Sequence, residues 1–300
     1  MDDLTRRQLL RVTGASAAAV SASLLGATPT LRPSAARAAT AAWNHDPASR
    51  IGPHHWDDIG YPTCGSGARQ SPIDVRTGRV VVEPGRPLRL RYPVSELTVE
   101  NTGHVVEVPI PEGVRATMRL DGERYEFAQV HFHAPAEHAV NGRLADVAAH
   151  FVHRSAEGQL AVVGAFFRRG PRANELLDRI LLAAPLTAGE HADIGDASLA
   201  ELFEDVRRVT VRRRGRVRVR SFYGYGGSLT TPGCTEGVRW SLLTAPGQVS
   251  DAAVEHLHRV ISRFPRYGGY PNNNRPLQPL NGRVVRLRVA RHQGSARQRD

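Results

Sequence analysis

Apolar and polar positions alternate with a period of two in one stretch after another: 88–92, 104–110, 114–120, 125–133, 160–167, 217–220 and 284–289. Side chains on a strand point alternately to its two faces, so each stretch predicts a strand, several with one face in water. Helical spacing occurs in only three places, 172–183, 198–206 and 250–264. The last two open on Ser198 and Ser250, whose hydroxyls suit a helix N-cap. Helices this few do not alternate with strands, which argues against a doubly wound parallel sheet. The expectation is a mainly β (α+β) chain built on one large, mostly antiparallel sheet with peripheral helices. No Ser/Gly linker, repeat or low-complexity seam interrupts the middle of the chain, so residues 39–290 read as one domain and 291–300 as a loose tail.

The start of the chain breaks this pattern. Arg6-Arg7 is followed by an uncharged run from Val12 to Ala27 and then by Ala36-Arg37-Ala38, a small-x-small cleavage pattern. A charged opening, a short apolar middle and a small-residue exit describe an export signal over residues 1–38, and the paired arginines give it the twin-arginine form. The run is too short and too weakly apolar to span a membrane comfortably. A periplasmic, cell-surface or extracellular destination follows. Two cysteines, Cys64 and Cys234, agree with it: an even, minimal count in an exported chain reads as one disulfide, against two unrelated buried thiols.

At 300 residues and 41% hydrophobic content the chain can bury a sizeable core. Its net charge of +11 comes from arginine alone, with no lysine anywhere, a uniformity that points to genomic base composition more than to a partner. One basic run stands out, from Arg207 to Arg220. It reads as a solvated edge strand protected from pairing, or as a weak contact for polyanions or a cell surface. No aromatic residues interleave it, so no specific nucleic-acid partner is expected.

The stretch QVHFHAPAEH, Gln129 to His138, carries the chemistry. On a strand, Val130 and Phe132 face one way while His131 and His133 face the other. Asn141-Gly142 then predicts a tight hairpin into a second strand, Asp146 to His153. A two-residue loop there sets His133 directly opposite His150, with His131 diagonal to it, so three imidazoles share one patch of one sheet face. Pro135 must bulge the first strand, which makes that register approximate. Three converging neutral imidazoles form the ligand set of a zinc ion with one position open; a polar network or an acid-sensitive histidine cluster are the other readings.

Five motifs in order, QSPID (70–74), HFH with its following Glu-His, His150-x-x-His153, GSLTTP (227–232) and NRPLQPL (274–280), resemble those of the alpha-class carbonic anhydrases in their exported bacterial form. The resemblance runs from about Trp43 to Val289. It implies a ten-stranded, mostly antiparallel twisted sheet, a Zn2+ cofactor, and reversible hydration of carbon dioxide to bicarbonate and a proton by a zinc-bound hydroxide. It further implies His131, His133 and His150 as zinc ligands, and Thr230 with Glu137 as the pair that orients the nucleophile. Val152, Val162, Leu229, Thr231, Val238 and Trp240 match the pocket for the uncharged substrate, and His104 matches the proton shuttle, a role its unperturbed pKa would suit. A bridge between Cys64 and Cys234 also matches exported members and would tie down the loop carrying Thr230. His138 and His153 are expected to point away from the metal as structural residues.

The chain departs from that pattern at three places. Ala148 stands where a glutamate usually accepts the free ring N–H of the third ligand. His45 replaces a tyrosine, and Gly233 replaces a proline. These departures bear on zinc affinity and rate, and they keep a second function in view: a carbonic anhydrase-like binding module with reduced or lost activity that uses its basic surface. Hydrolysis of esters would be a side activity of the same centre. The sequence says nothing of oligomeric state.

Overall fold

A computed structural model describes residues 42–204 and 206–290 of the chain. The export-signal and tail readings, 1–38 and 291–300, lie outside the described residues. One curled mixed sheet dominates. Its main path runs Val209–Arg212, Arg216–Val219, Leu88–Arg91, Thr117–Leu120, Glu123–His133, Val147–Arg154, Leu160–Arg169, Glu236–Leu243, Ser221–Ser228, Arg286–Ala290 and Val81–Gly85. Most neighbours are antiparallel; Leu160–Arg169 with Glu236–Leu243 and Arg286–Ala290 with Val81–Gly85 are parallel. The sheet holds fifteen strands, against the ten expected, because short segments such as Val106–Pro109 and Gly247–Val249 pair as strands of their own.

All seven alternating stretches form strands. The strands outside those stretches include two long ones at the centre of the site, Ser221–Ser228 and Glu236–Leu243. The first carries three glycines that weaken its apolar signal, and the second is buried on both faces at its end. Two helices match expectation, Glu175–Ala183 and Asp251–Ser262, the second capped by Ser250 Oγ, which accepts from the Ala253 N–H. The third segment is a 3-10 helix, Leu199–Phe203, in place of the expected α-helix. Ser198 does cap it, and Glu201 returns the contact to the Ser198 N–H, but five residues between a strand end and Glu204 leave room only for this tighter winding.

Each face of the sheet is covered differently. On one face Phe132, Phe151, Val163 and Phe167 pack under the two helices through Leu177, Ile180, Leu181, Val254, Leu257 and Ile261. Each of these fully buried side chains contributes roughly 1.5–3 kcal/mol. On the other face Ile73, Val162, Phe166, Tyr225, Val238, Trp240 and Leu242 form a smaller cluster. Period-two alternation thus sends the histidines of Glu123–His133 to the face that carries this second, smaller cluster.

Candidate metal centre

The hairpin register differs from the expected one by two residues. His131 lies opposite His150, and His133 opposite Ala148. Asn141 and Gly142 both take positive φ, as a two-residue hairpin turn demands, and Val140 bridges Arg143 across it. Between that bridge and the long strands, however, the first arm holds two more residues than the second, the segment around Pro135 bulging out. A shift of two preserves the face, so the three imidazoles still converge.

The ligand atoms of His131, His133 and His150 all lie within 4.8 Å of one another. Two of the rings are fixed from behind. The Nδ1–H of His131 donates to Gln129 Oε1 at 2.8 Å, and the Nδ1–H of His133 donates to the Asn273 carbonyl at 2.8 Å, which turns both Nε2 lone pairs inward. His133 Nε2 is buried with no hydrogen-bond partner. His150 turns Nδ1 toward Glu137 Oε2, 3.8 Å away, and its own Nε2 is left without a partner. Burial holds His131 and His150 well below the ordinary histidine range, with His133 adding to the effect, so both stay neutral ligands near neutral pH. An inward-facing donor set of three imidazoles fits a zinc ion.

Glu137 is fully buried beside them. Its Oε1 accepts from the Arg275 N–H at 2.9 Å, and its Oε2 lies 3.6 Å from His133 Nε2. Burial raises its pKa, while His133, the Arg275 N–H and the Thr230 hydroxyl favour the ionised form. Val162, Val238 and Trp240 are buried in the cluster facing the histidines, Val152 and Leu229 pack against it, and Thr231 is half-buried at the next position. His153 points to the opposite face, where Nε2 meets the Tyr92 hydroxyl at 2.9 Å. His138 does not point away: it sits behind His150, ring centroids 6.0 Å apart, bonded to the Tyr225 hydroxyl. Because it lies beyond the strand, on the bulged segment, strand alternation does not apply to it.

His104 stacks on Trp43 at 3.9 Å and 11°. Burial, aided by Arg266, lowers its pKa to about 4, far from the unperturbed value expected. His45 is fully buried, with Nδ1 on the Tyr267 hydroxyl and Nε2 unpartnered.

The remaining motifs form a frame around the site. Arg275, buried over the Trp56 ring, donates to Gln70 Oε1, the Ser71 carbonyl and the Cys64 carbonyl. The backbone N–H groups of Ser71 and Ser228 donate to each other's hydroxyls, and Gln70 Nε2 donates to the Cys234 carbonyl. Cys64 and Cys234 are disulfide-bonded across a sequence separation of 170. The chain-entropy relation gives on the order of 5 kcal/mol for closing such a loop. QSPID, NRPLQPL and the disulfide therefore all brace the loop that presents Thr230.

Three histidines able to hold a metal on a curled sheet, with a hydrophobic wall and a threonine–glutamate pair beside them, are the arrangement of a zinc lyase of the carbonic anhydrase type. Residues 51–289 match the family model for eukaryotic-type carbonic anhydrase, and the chain belongs to that family. It is 32% identical to a carbonic anhydrase of Nostoc sp. over 94% of this chain and 97% of that protein. Alpha carbonic anhydrase 3 of Arabidopsis thaliana is 34% identical over 82% of this chain and 84% of its own. Among solved structures, the alpha-carbonic anhydrase of Thermovibrio ammonificans, in complex with the inhibitor sulfanilamide, superimposes with a TM-score of 0.70 at 34% identity, covering 83% of this chain and all of that one. Members of the family hydrate carbon dioxide with zinc, and so does this chain.

Proposed function

We propose that the chain is an exported enzyme in which His131, His133 and His150 hold zinc, Thr230 and Glu137 orient the attacking water, and His104 passes the released proton to solvent. The observation that carries the reading is the set of three imidazoles whose ring nitrogens converge beside a hydrophobic wall. When bound, zinc supplies activation of water at neutral pH; carbonic anhydrases, where the pKa of that water falls to about 7, are the reference case for this effect. Glu137, held by the Arg275 N–H, accepts from the Thr230 hydroxyl, so that the threonine oxygen is left as an acceptor and fixes which lone pair of the water faces the substrate. Val152, Val162, Leu229, Val238 and Trp240 receive carbon dioxide, which offers no charge to clamp, and Thr231 completes the pocket. The intact ligand set disfavours an inactive binding module.

Metal analysis of the purified chain together with stopped-flow carbon dioxide hydration tests this reading. About one zinc per chain and zinc-dependent turnover are expected, with both lost in His133→Ala. Turnover in a metal-free protein would overturn it. Export rests on Arg6-Arg7, the Val12–Ala27 run and the Ala36–Ala38 exit, and the disulfide supports it. N-terminal sequencing of the protein recovered outside the cytoplasm should give a start at residue 39.

A further inference from the structure

The basic run at 207–220 does not end at its own hairpin. Cross-strand registers align arginines from five strands in two rows on one outer face of the sheet. One row is Arg212, Arg216 and Arg91; the other is Arg218, Arg89, Arg119 and Arg124. Six of the seven are exposed and Arg218 is half-buried, while the alternating positions Val217, Val219, Leu88, Leu90, Met118 and Leu120 are buried in the core. Rungs repeat about every 4.8 Å across the strands, and the rows lie about 6.6 Å apart along them. Of these seven arginines, only Arg124 has an acidic partner among the described residues, Glu126 at 2.7 Å.

Like charges directly opposite one another on a sheet are destabilising. Protection of the edge would account for charge on the outermost strand, Val209–Arg212, which contributes only Arg212; the rows continue onto four strands further inside. An arginine-rich composition would scatter the residues over the surface rather than set them opposite one another. We propose that this face binds a linear acidic polysaccharide, whose successive carboxylate or sulfate groups pair with the guanidinium rungs. Planar guanidinium forks suit such oxyanions, and neutralising several of them at once relieves the repulsion the sheet otherwise carries. The face offers no apolar side chain for insertion into a lipid surface and no aromatic ring for stacking on bases.

The test uses the full chain and heparin or polygalacturonate oligosaccharides at 0.15 M salt. Arg89→Gln, Arg91→Gln, Arg216→Gln and Arg218→Gln are combined in one variant. Its control replaces the exposed helical and near-helical arginines Arg172, Arg179, Arg259 and Arg263 by Gln, which changes the net charge equally. The row variant should bind at least about tenfold more weakly, with a shallower salt dependence, and should melt at a higher temperature because like-charge pairs have been removed; the control should bind within about twofold of the parent. Equal weakening in both variants, no binding by the parent, or tighter binding to phosphatidylglycerol vesicles than to the oligosaccharides would overturn the proposal. So would a lower melting temperature in the row variant, which would make the rows a structural element.

Discussion

The rings of His138 and His150 lie 6.0 Å apart, and each keeps one buried nitrogen without a hydrogen-bond partner, Nδ1 in the first and Nε2 in the second. Ala148 offers His150 no acceptor. It is fully buried on the same strand face as His150, two positions before it, opposite Phe166. A carboxylate at 148 would accept the His150 Nε2–H and make the ring a stronger metal donor, an effect worth roughly 10 to 100-fold in affinity or activity. Ala148→Glu should therefore slow zinc release to a chelator by about that factor, although the new buried carboxylate costs stability wherever its pairing is incomplete. Equal release from two well-folded proteins would show that another group already serves His150.

Thr230 and Glu137 should act as one unit. Thr230→Ala and Glu137→Gln each remove the orientation that the other depends on, so the double variant should be hardly slower in kcat than the worse single one. Losses that simply multiply would break the hydrogen-bond chain drawn here. Zinc content measured alongside separates orientation from metal loss.

Much of this centre was legible in the sequence because period-two alternation is robust: the two-residue error in the hairpin register left His131, His133 and His150 on one face, whereas His138, beyond the strand, escaped the rule. Less legible were the supports. Asn273 and Arg275 reach the site from residues some 140 positions away, and nothing local in NNNRP announces that a carbonyl will hold His133 or that a guanidinium will bridge Gln70 and Cys64. The environment of His104 was equally hidden. A strand-end histidine looks solvated until Trp43, sixty-one positions earlier, is found stacked upon it.

That stack has a measurable consequence. In the parent protein the His104 ring should titrate near pH 4 by NMR, because burial and Arg266 both disfavour its cation. Trp43→Ala opens one face of the ring to water, and the midpoint should move toward the ordinary value of about 6.5. If His104 carries protons, turnover at low buffer concentration should rise with it, since a ring of pKa near 4 is a weak acceptor at neutral pH. An unchanged midpoint would remove the stack as the cause.

His153 gives the acid limit of the fold a test away from the metal. Fully buried, with Nε2 on the Tyr92 hydroxyl, it has its pKa lowered by burial to about 3, whereas in the unfolded chain it returns to about 6.5. Below pH 6.5 the unfolded state therefore binds a proton that the folded state refuses, and stability falls as pH drops through that window toward 3. Above pH 6.5 neither state binds it and the contribution is flat. His153→Gln keeps an acceptor for Tyr92 while removing the titration. The variant is expected to be less stable than the parent at pH 7 but to lose about 2 kcal/mol less between pH 7 and pH 5, read from urea midpoints at each pH. Parallel losses in the two proteins would mean that His153 is protonated in the native state, and the acid sensitivity would have to come from the other buried histidines.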